Sequence, residues 1–481
     1  MKKTDTDGEL KWYEKKAGRR MNFSGAVCKD DGKKAKGGKR ADTKSEYKAG
    51  CKYERKNEGS AGGNSAEGKD FHKKVRGTEK KSFRVQKDFV AARQVDFLLD
   101  AGSVPSDAKK ILADFRDIIG ATHPLNSKQR ADLPRQILEL SHTLTDERAE
   151  RRLGYMNRPQ TLSAYTHYYL WWNLVRLTRL FSNLPSSFFE FPDGTVCLDV
   201  GSGPLTVPIA VFLSRPELRK KKLRWYCMDI SPQALSIGEN LLMTVAARLE
   251  CESWEVVRVK GGFGTPVKEK VSFVTCANVF NEVGEESNMP PDYLAKKYCE
   301  KILSYIMEEK PSENGAGDFR KVLLIEPGIP SSARLLSLMR DAMIRRGFSP
   351  VSPCPHAAQC PMDGKRGGKW CNFAFGTQDA PAALKKLSES ARIPKERAVL
   401  SFVALTAAEK KSGDAGELSF RVASDPIHLP GSRTGYYACS EIGLLLVVTE
   451  DSLRSGECLS IPRPEKKLSV DEKSGAFVVE L

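Results

Sequence analysis

Two groups of residues in this chain have types and spacings that could do chemistry. The first is LDVGSGP (198–204) followed by MDIS (228–231). Asp199 closes an apolar run that reads as a strand, and Gly201, Ser202 and Gly203 form the turn after it. Glycines there let the backbone turn tightly and approach a ligand with no Cβ in the way. Asp229 ends the next apolar run, 30 residues after Asp199, where a carboxylate can accept hydrogen bonds from a ribose diol. The G-x-G-x-x-G fingerprint of dinucleotide sites is absent, because Leu205 and Thr206 follow Pro204. This loop and its acid suit S-adenosylmethionine, which has no pyrophosphate to cradle. A nucleotide, or a purely structural glycine turn, would be the other reading.

The second group is SPCPHAAQCPMDGKRGGKWCNF (352–373), where Pro, Gly and Lys prevent regular structure around Cys354, Cys360 and Cys371. A [4Fe–4S] cluster takes four thiolates, and this loop supplies three. Structural zinc uses more closely spaced cysteine pairs, absent here, and is the alternative metal. Candidates for the fourth ligand are His356, Cys439 and Cys458. Other cysteines stand inside apolar runs, as in TVCLDV, WYCMDI and VTCANV. They read as small buried hydrophobes rather than disulfide partners, which fits a reducing, cytoplasmic compartment.

The elements that must position these groups are visible from about residue 85 onward. KDFVAARQVDFLLDAG and AKKILADFRDIIGATH space apolar residues by three and four, the pattern of amphipathic helices. The aromatic-rich TLSAYTHYYLWWNLVRLTRLFSNL (161–184) continues the pattern as a long helix, its aromatics forming a core stripe or a partner-binding face. Residues 85–190 therefore read as a helical domain. From 191 to 350 short apolar strands alternate with helices, which predicts an α/β fold with a mostly parallel, doubly wound sheet. Ligands of such sheets sit beyond the carboxyl ends of the strands. Residues 351–481 read as the cysteine loop followed by strands that complete the sheet or form a small β domain.

Residues 1–84 differ from the rest. The first 80 carry 23 Lys/Arg against 13 Asp/Glu, in a chain of 481 residues with a net charge of +16. So few apolar side chains cannot offset the entropy of ordering, and a disordered basic arm is expected. Such an arm favours a polyanion, with counterion release as the driving term; a solubilising tail is the plainer reading. No stretch reaches the roughly 18 apolar residues of a membrane span, and MKKTDTDGELKWYEKK lacks the apolar core of a signal peptide. Neither a membrane nor a secreted setting is expected.

The order of motifs resembles the Rsm22 family, methyltransferase-fold proteins of the mitochondrial small ribosomal subunit with bacterial relatives, also called methyltransferase-like protein 17. The resemblance rests on LDVGSGP, MDIS, ANVFNEV (277–283), IEPGIP (325–330) and CPHAAQCP…WCNF (354–373), and it covers roughly 150–450. The chain departs from the family at Leu205, where glycine is usual, and at Asn372, where histidine is usual.

The resemblance implies a class I, Rossmann-like methyltransferase sheet holding S-adenosylmethionine at Asp199, Gly201, Ser202, Gly203, Asp229 and Asn278. It implies a metal set of Cys354, Cys360, Cys371 and the strand cysteine Cys439. The implied partners are the small ribosomal subunit and its rRNA, with a role in assembly or translation and a monomer when free. An active rRNA methyltransferase is the alternative. The proline pair that amino methyltransferases carry after the fourth strand is absent from Asn278-Val-Phe-Asn281, so the sequence leaves methyl transfer open. A metal-dependent structural or redox module without RNA contact is the weaker alternative. Glu326, before Pro327-Gly328, has no assigned chemistry.

Overall fold

The computed structural model describes residues 91–145, 154–283, 289–308, 319–365, 368–407 and 416–481. The basic arm expected over 1–84, with Cys28 and Cys51, lies outside the described residues.

The described residues form one compact unit built on two sheets. After β1 (Arg93–Phe97) comes a helical layer: α1 (Ser106–Ala113), α2 (Phe115–Thr122), α3 (Ser127–Thr145), α4 (Pro159–Ala164) and α5 (Trp171–Asn183). The six residues Tyr165–Leu170 join α4 to α5 as a π-helical turn. The aromatics here are core. Trp171 and Trp172 are buried, and their indole N–H groups donate to the Leu112 carbonyl (2.9 Å) and the Ser388 hydroxyl (3.1 Å).

The larger sheet starts with β2 (Val196–Val200), α6 (Thr206–Ser214), β3 (Arg224–Asp229), α7 (Pro232–Arg248), β4 (Glu255–Lys260) and β5 (Phe273–Ala277). It continues through α8 (Phe280–Val283), α9 (Pro291–Tyr305), β6 (Lys321–Glu326), α10 (Pro330–Ile344) and β7 (Ser349–Ser352). After β8 (Phe373–Gly376) and α11 (Ala382–Ser390), β9 (Arg397–Thr406) runs antiparallel between β6 and β7. The spatial order is β4-β3-β2-β5-β6-β9-β7, with β8 paired to β9. That is the class I methyltransferase arrangement: five parallel strands whose order reverses beside the first, and an antiparallel last strand inserted before the sixth.

Alternation along each strand sends side chains to opposite layers. Cys197, Leu323 and Ile325 join the helical layer of α5, α6 and α7, while Leu198, Val200, Val322 and Leu324 meet α9 and α10. Burial on both faces explains why these strands read as continuous apolar runs. Cys197, Cys227 and Cys276 are fully buried within them.

The second sheet has the order β1-β14-β10-β12-β13-β15, with β11 on β12. Its strands are β1 (Arg93–Phe97), β10 (Glu417–Val422), β11 (Ile427–Leu429), β12 (Arg433–Ser440), β13 (Gly443–Thr449), β14 (Glu457–Pro462) and β15 (Phe477–Glu480). Of the C-terminal strands, β8 and β9 belong to the first sheet and β10 to β15 build the second with β1. β1 corrects the helical reading of its segment. Arg93–Phe97 pairs antiparallel with β14, and Asp96 bonds Arg421 across the sheet. A strand edge and a buried guanidinium outweigh a short stretch of helical spacing.

Candidate functional site

The loop after β2 stands at the point where the sheet reverses direction, the position where open α/β sheets take ligands. Gly201 has φ of 68°, and a Cβ there would sit 2.7 Å from a methyl of Val279. Asp199 lies beneath the loop, 1% exposed, and accepts from the hydroxyls of Ser202 (2.6 Å) and Thr275 (2.5 Å). Burial pushes its carboxyl up to about 7 against the effect of those two bonds, with the charge on Asp229 adding to the rise. Ser202 also donates to the Asp199 carbonyl. These two residues brace the loop from below.

Asp229 lies at the end of β3 and faces the cleft. Its Oδ2 accepts the Gly203 N–H at 2.9 Å and its Oδ1 the Ser231 N–H at 2.8 Å. Burial raises its pKa, partly offset by those backbone donors. The Ser231 hydroxyl in turn caps α7 by accepting from Ala234. Gly238 of α7 has the Pro204 carbonyl carbon 2.4 Å from where a Cβ would be, so α7 comes up directly against the loop. Leu205, where a glycine would be the easier residue, is fully buried in the left-handed region with φ of 57°.

On the far side Asn278 also has a left-handed φ, 58°, and its N–H donates to the Ile325 carbonyl at 2.8 Å. Glu326, fully buried at the end of β6, accepts the N–H groups of Phe280 (2.8 Å) and Asn281 (3.2 Å). It thereby fixes the segment that carries Asn278. Burial pushes the Glu326 carboxyl up to about 8, with the backbone donors opposing.

Four of the six expected cofactor residues, Gly201, Gly203, Asp229 and Asn278, line one cleft. Asp199 and Ser202 lie beneath it. Sequence reasoning missed Tyr155, Tyr165, Gly261 and Gly262, which also line it, as does Glu282. The glycine pair after β4 was a readable signal. Tyr155 and Tyr165 gave none, since they come from the helical layer; Tyr165 enters through the π turn, a distortion often found at functional sites. The Tyr155 hydroxyl donates to Glu282 at 3.4 Å.

The cysteine loop packs between α10 and β9. Cys354, Cys360 and Cys371 line one small cavity with Arg340. Cys439 on β12 is 5% exposed, its Sγ 3.1 Å from His356 Nε2. Burial raises the thiols of Cys371 and Cys439, and charge on Cys354 and Cys360 raises both further, so the four stand in one neighbourhood. Two buried guanidiniums reach it. Arg340 donates to Cys354 Sγ (3.2 Å) and to the His356 carbonyl (2.7 Å). Arg421 stands opposite both Cys439 and Cys458 in the strand register and donates to the Pro353 carbonyl at 2.9 Å. The donor chemistry is that of a thiolate-bound group. Among the described residues, however, no three His, Cys, Asp or Glu side chains are arranged to hold a metal ion.

No curated protein matches the chain. Similar solved structures include the precorrin-6y C5,15-methyltransferase from Geobacter metallireducens GS-15, 14% identical over 49% of this chain and 85% of that one, TM-score 0.26. A SAM-dependent methyltransferase from Geobacter sulfurreducens in complex with S-adenosyl-L-homocysteine is 14% identical over 48% of this chain and 89% of that one, TM-score 0.25. The plantazolicin methyltransferase BpumL in complex with SAH is 9% identical over 58% and 97%, TM-score 0.28. The fold is read from the strand order itself. Residues 312–429, about a quarter of the chain spanning β6 and the cysteine loop, match the model of the family described as mitochondrial small ribosomal subunit Rsm22, where the sequence resemblance had pointed.

Proposed function

We propose that this chain binds S-adenosylmethionine in the cleft at the ends of β2, β3 and β5 and acts on the rRNA of the small ribosomal subunit during assembly or translation. The observation that carries this is the pairing of Gly203 N–H with Asp229 at the sheet's reversal point. The second lone pairs of the Asp229 oxygens are the acceptors for a ribose diol, and Gly201 leaves the backbone open to the ligand. The family match supports the ribosomal part of the reading. The ten described cysteines are all free, in keeping with a reducing compartment; we propose the cytoplasm, while the family description names the mitochondrion.

Cys354, Cys360, Cys371 and Cys439 are the residues that would hold a [4Fe–4S] cluster, zinc being the alternative. Four neighbouring thiols beside Arg340 and Arg421 support this, because guanidiniums offset the charge of thiolates. Such a group would join the second sheet to the first across β12 and the loop.

Catalytic methyl transfer is the second reading, favoured by Tyr155, Tyr165 and Glu282 at the cleft, which could seat a base edge. Cross-linking the protein to small-subunit rRNA, with mass mapping of methylated nucleotides, tests the proposal. Cross-links confined to that rRNA are expected. Their absence contradicts it, and a methyl group added at the cross-linked site promotes the second reading.

A further inference from the structure

A second cleft, of about 570 Å³, opens between α2, α3, the π turn and α11, away from the sheet's reversal point. That volume lies within the roughly 300–1,000 Å³ of small-ligand sites. Its floor is apolar, with Leu133, Leu387 and Trp171, and its exposed rim carries Arg116, Arg130 and Lys386 from three different helices. Asp117 is its one acidic lining residue.

Some exposed arginines elsewhere are paired with carboxylates, as in Arg93–Glu417, Arg224–Glu255 and Arg397–Asp425. Arg116, Arg130 and Lys386 make no ion pair among the described residues. Arg130 is instead steadied by donating to the Leu125 carbonyl at 3.2 Å. Arg116 and Arg130 line the cleft with His167, whose Nε2 faces the His123 carbonyl at 3.3 Å. Burial, together with the charges of His123, Arg116 and Arg130, pushes the His167 imidazole down to about 4, against the bond to the His123 carbonyl. The cleft therefore sets three cations that make no ion pair among the described residues above an apolar floor, against the single carboxylate of Asp117.

We infer that this cleft binds a phosphate-bearing nucleotide, one unit of a single-stranded RNA, with the phosphate on Arg116, Arg130 and Lys386 and the base over the apolar floor. Guanidinium forks match phosphate oxygens, and a positively charged groove that tracks the backbone is how single strands are held without sequence preference. The inference rests on the proposed ribosomal role only for the source of the nucleotide.

The test titrates the full chain with uridine 5′-monophosphate and, separately, with a single-stranded pentauridylate, by calorimetry at several salt concentrations. The double variant Arg116→Ala/Arg130→Ala changes two exposed side chains, and its thermal melt checks that the fold is kept. Lys386→Ala serves as an independent variant. Binding of both probes, weakened at least about tenfold in the double variant, is expected. The salt slope for the pentamer should fall by up to about 0.7, the share of the one phosphate these residues hold. The His167 ring resonance should also titrate at higher pH when the monophosphate is bound. No binding of the monophosphate, or equal affinity and slope in both variants, overturns the inference, even if rRNA cross-linking succeeds. Monophosphate binding lost in the variants supports it, even if that cross-linking fails.

Discussion

The backbone N–H of Gly203 donates to Oδ2 of Asp229 at 2.9 Å, which ties the loop after β2 to the end of β3. The other oxygen of Asp229 holds the Ser231 N–H at the start of α7, and α7 returns to the loop through Gly238. Loop, acid and helix thus form a closed ring of contacts around the cleft.

Gly238 is the weak point of that ring. Its replacement by alanine would place a methyl 2.4 Å from the Pro204 carbonyl carbon, which is backbone and cannot rotate away. The Gly238→Ala chain should lose about 1–3 kcal/mol in urea unfolding, as overpacked cores do, and should bind S-adenosylmethionine more weakly. Unchanged stability and affinity would mean that α7 does not set the loop.

Asp199 should make stability fall with rising pH. Its folded pKa of about 7 lies above the ordinary carboxylate value of 3.8, so the folded state holds the proton that the unfolded chain has released. Its stabilising protonated form is fully present below about pH 4 and is lost as pH rises to about 7. Asp199→Asn keeps an acceptor for one of the two hydroxyls, Ser202 or Thr275, turns its NH2 to the other, and removes the titration. Urea unfolding at pH 4.5 and 7.5 should show a fall in the parent chain that is smaller in the variant, by an amount on the order of 2–4 kcal/mol. Equal pH dependence in the two chains would remove Asp199 from this role; Glu326, pushed up to about 8, accounts for a fall that persists in the variant.

The cysteines give a third expectation. After anaerobic purification the parent chain should contain iron and sulfide and absorb in the visible. Serine at Cys354, Cys360, Cys371 or Cys439 should abolish both, while Cys251→Ser, on a thiol bonded to the Leu249 carbonyl, should change neither. Binding would contribute folding free energy, because the ligands converge only in the folded chain. Zinc without iron or sulfide would establish the alternative metal. Iron retained in the Cys439→Ser chain would shift the fourth ligand to His356 or Cys458.

The strands of the first sheet were legible because burial on both faces leaves a continuous apolar run, and Asp199, Gly201 and Asp229 fall at their ends. Arg93–Phe97 was not legible as a strand, since its structure depends on β14, more than 350 residues later. Tyr155 and Tyr165 were hidden for a similar reason. Only the packing of the helical layer on the sheet brings them to the cleft, and no local spacing records it. Cys439 was placed among the loop cysteines by resemblance. The strand register, with Arg421 opposite it and pointing to Pro353, supplies the physical reason for that neighbourhood.

Calorimetric titration with S-adenosylmethionine tests the central claim most directly, using the parent chain and Asp229→Ala. The account predicts saturable binding at one site, weakened in the variant by about 1–3 kcal/mol through loss of a charged hydrogen-bond acceptor. No binding to the parent chain, or the same affinity in both, would contradict it.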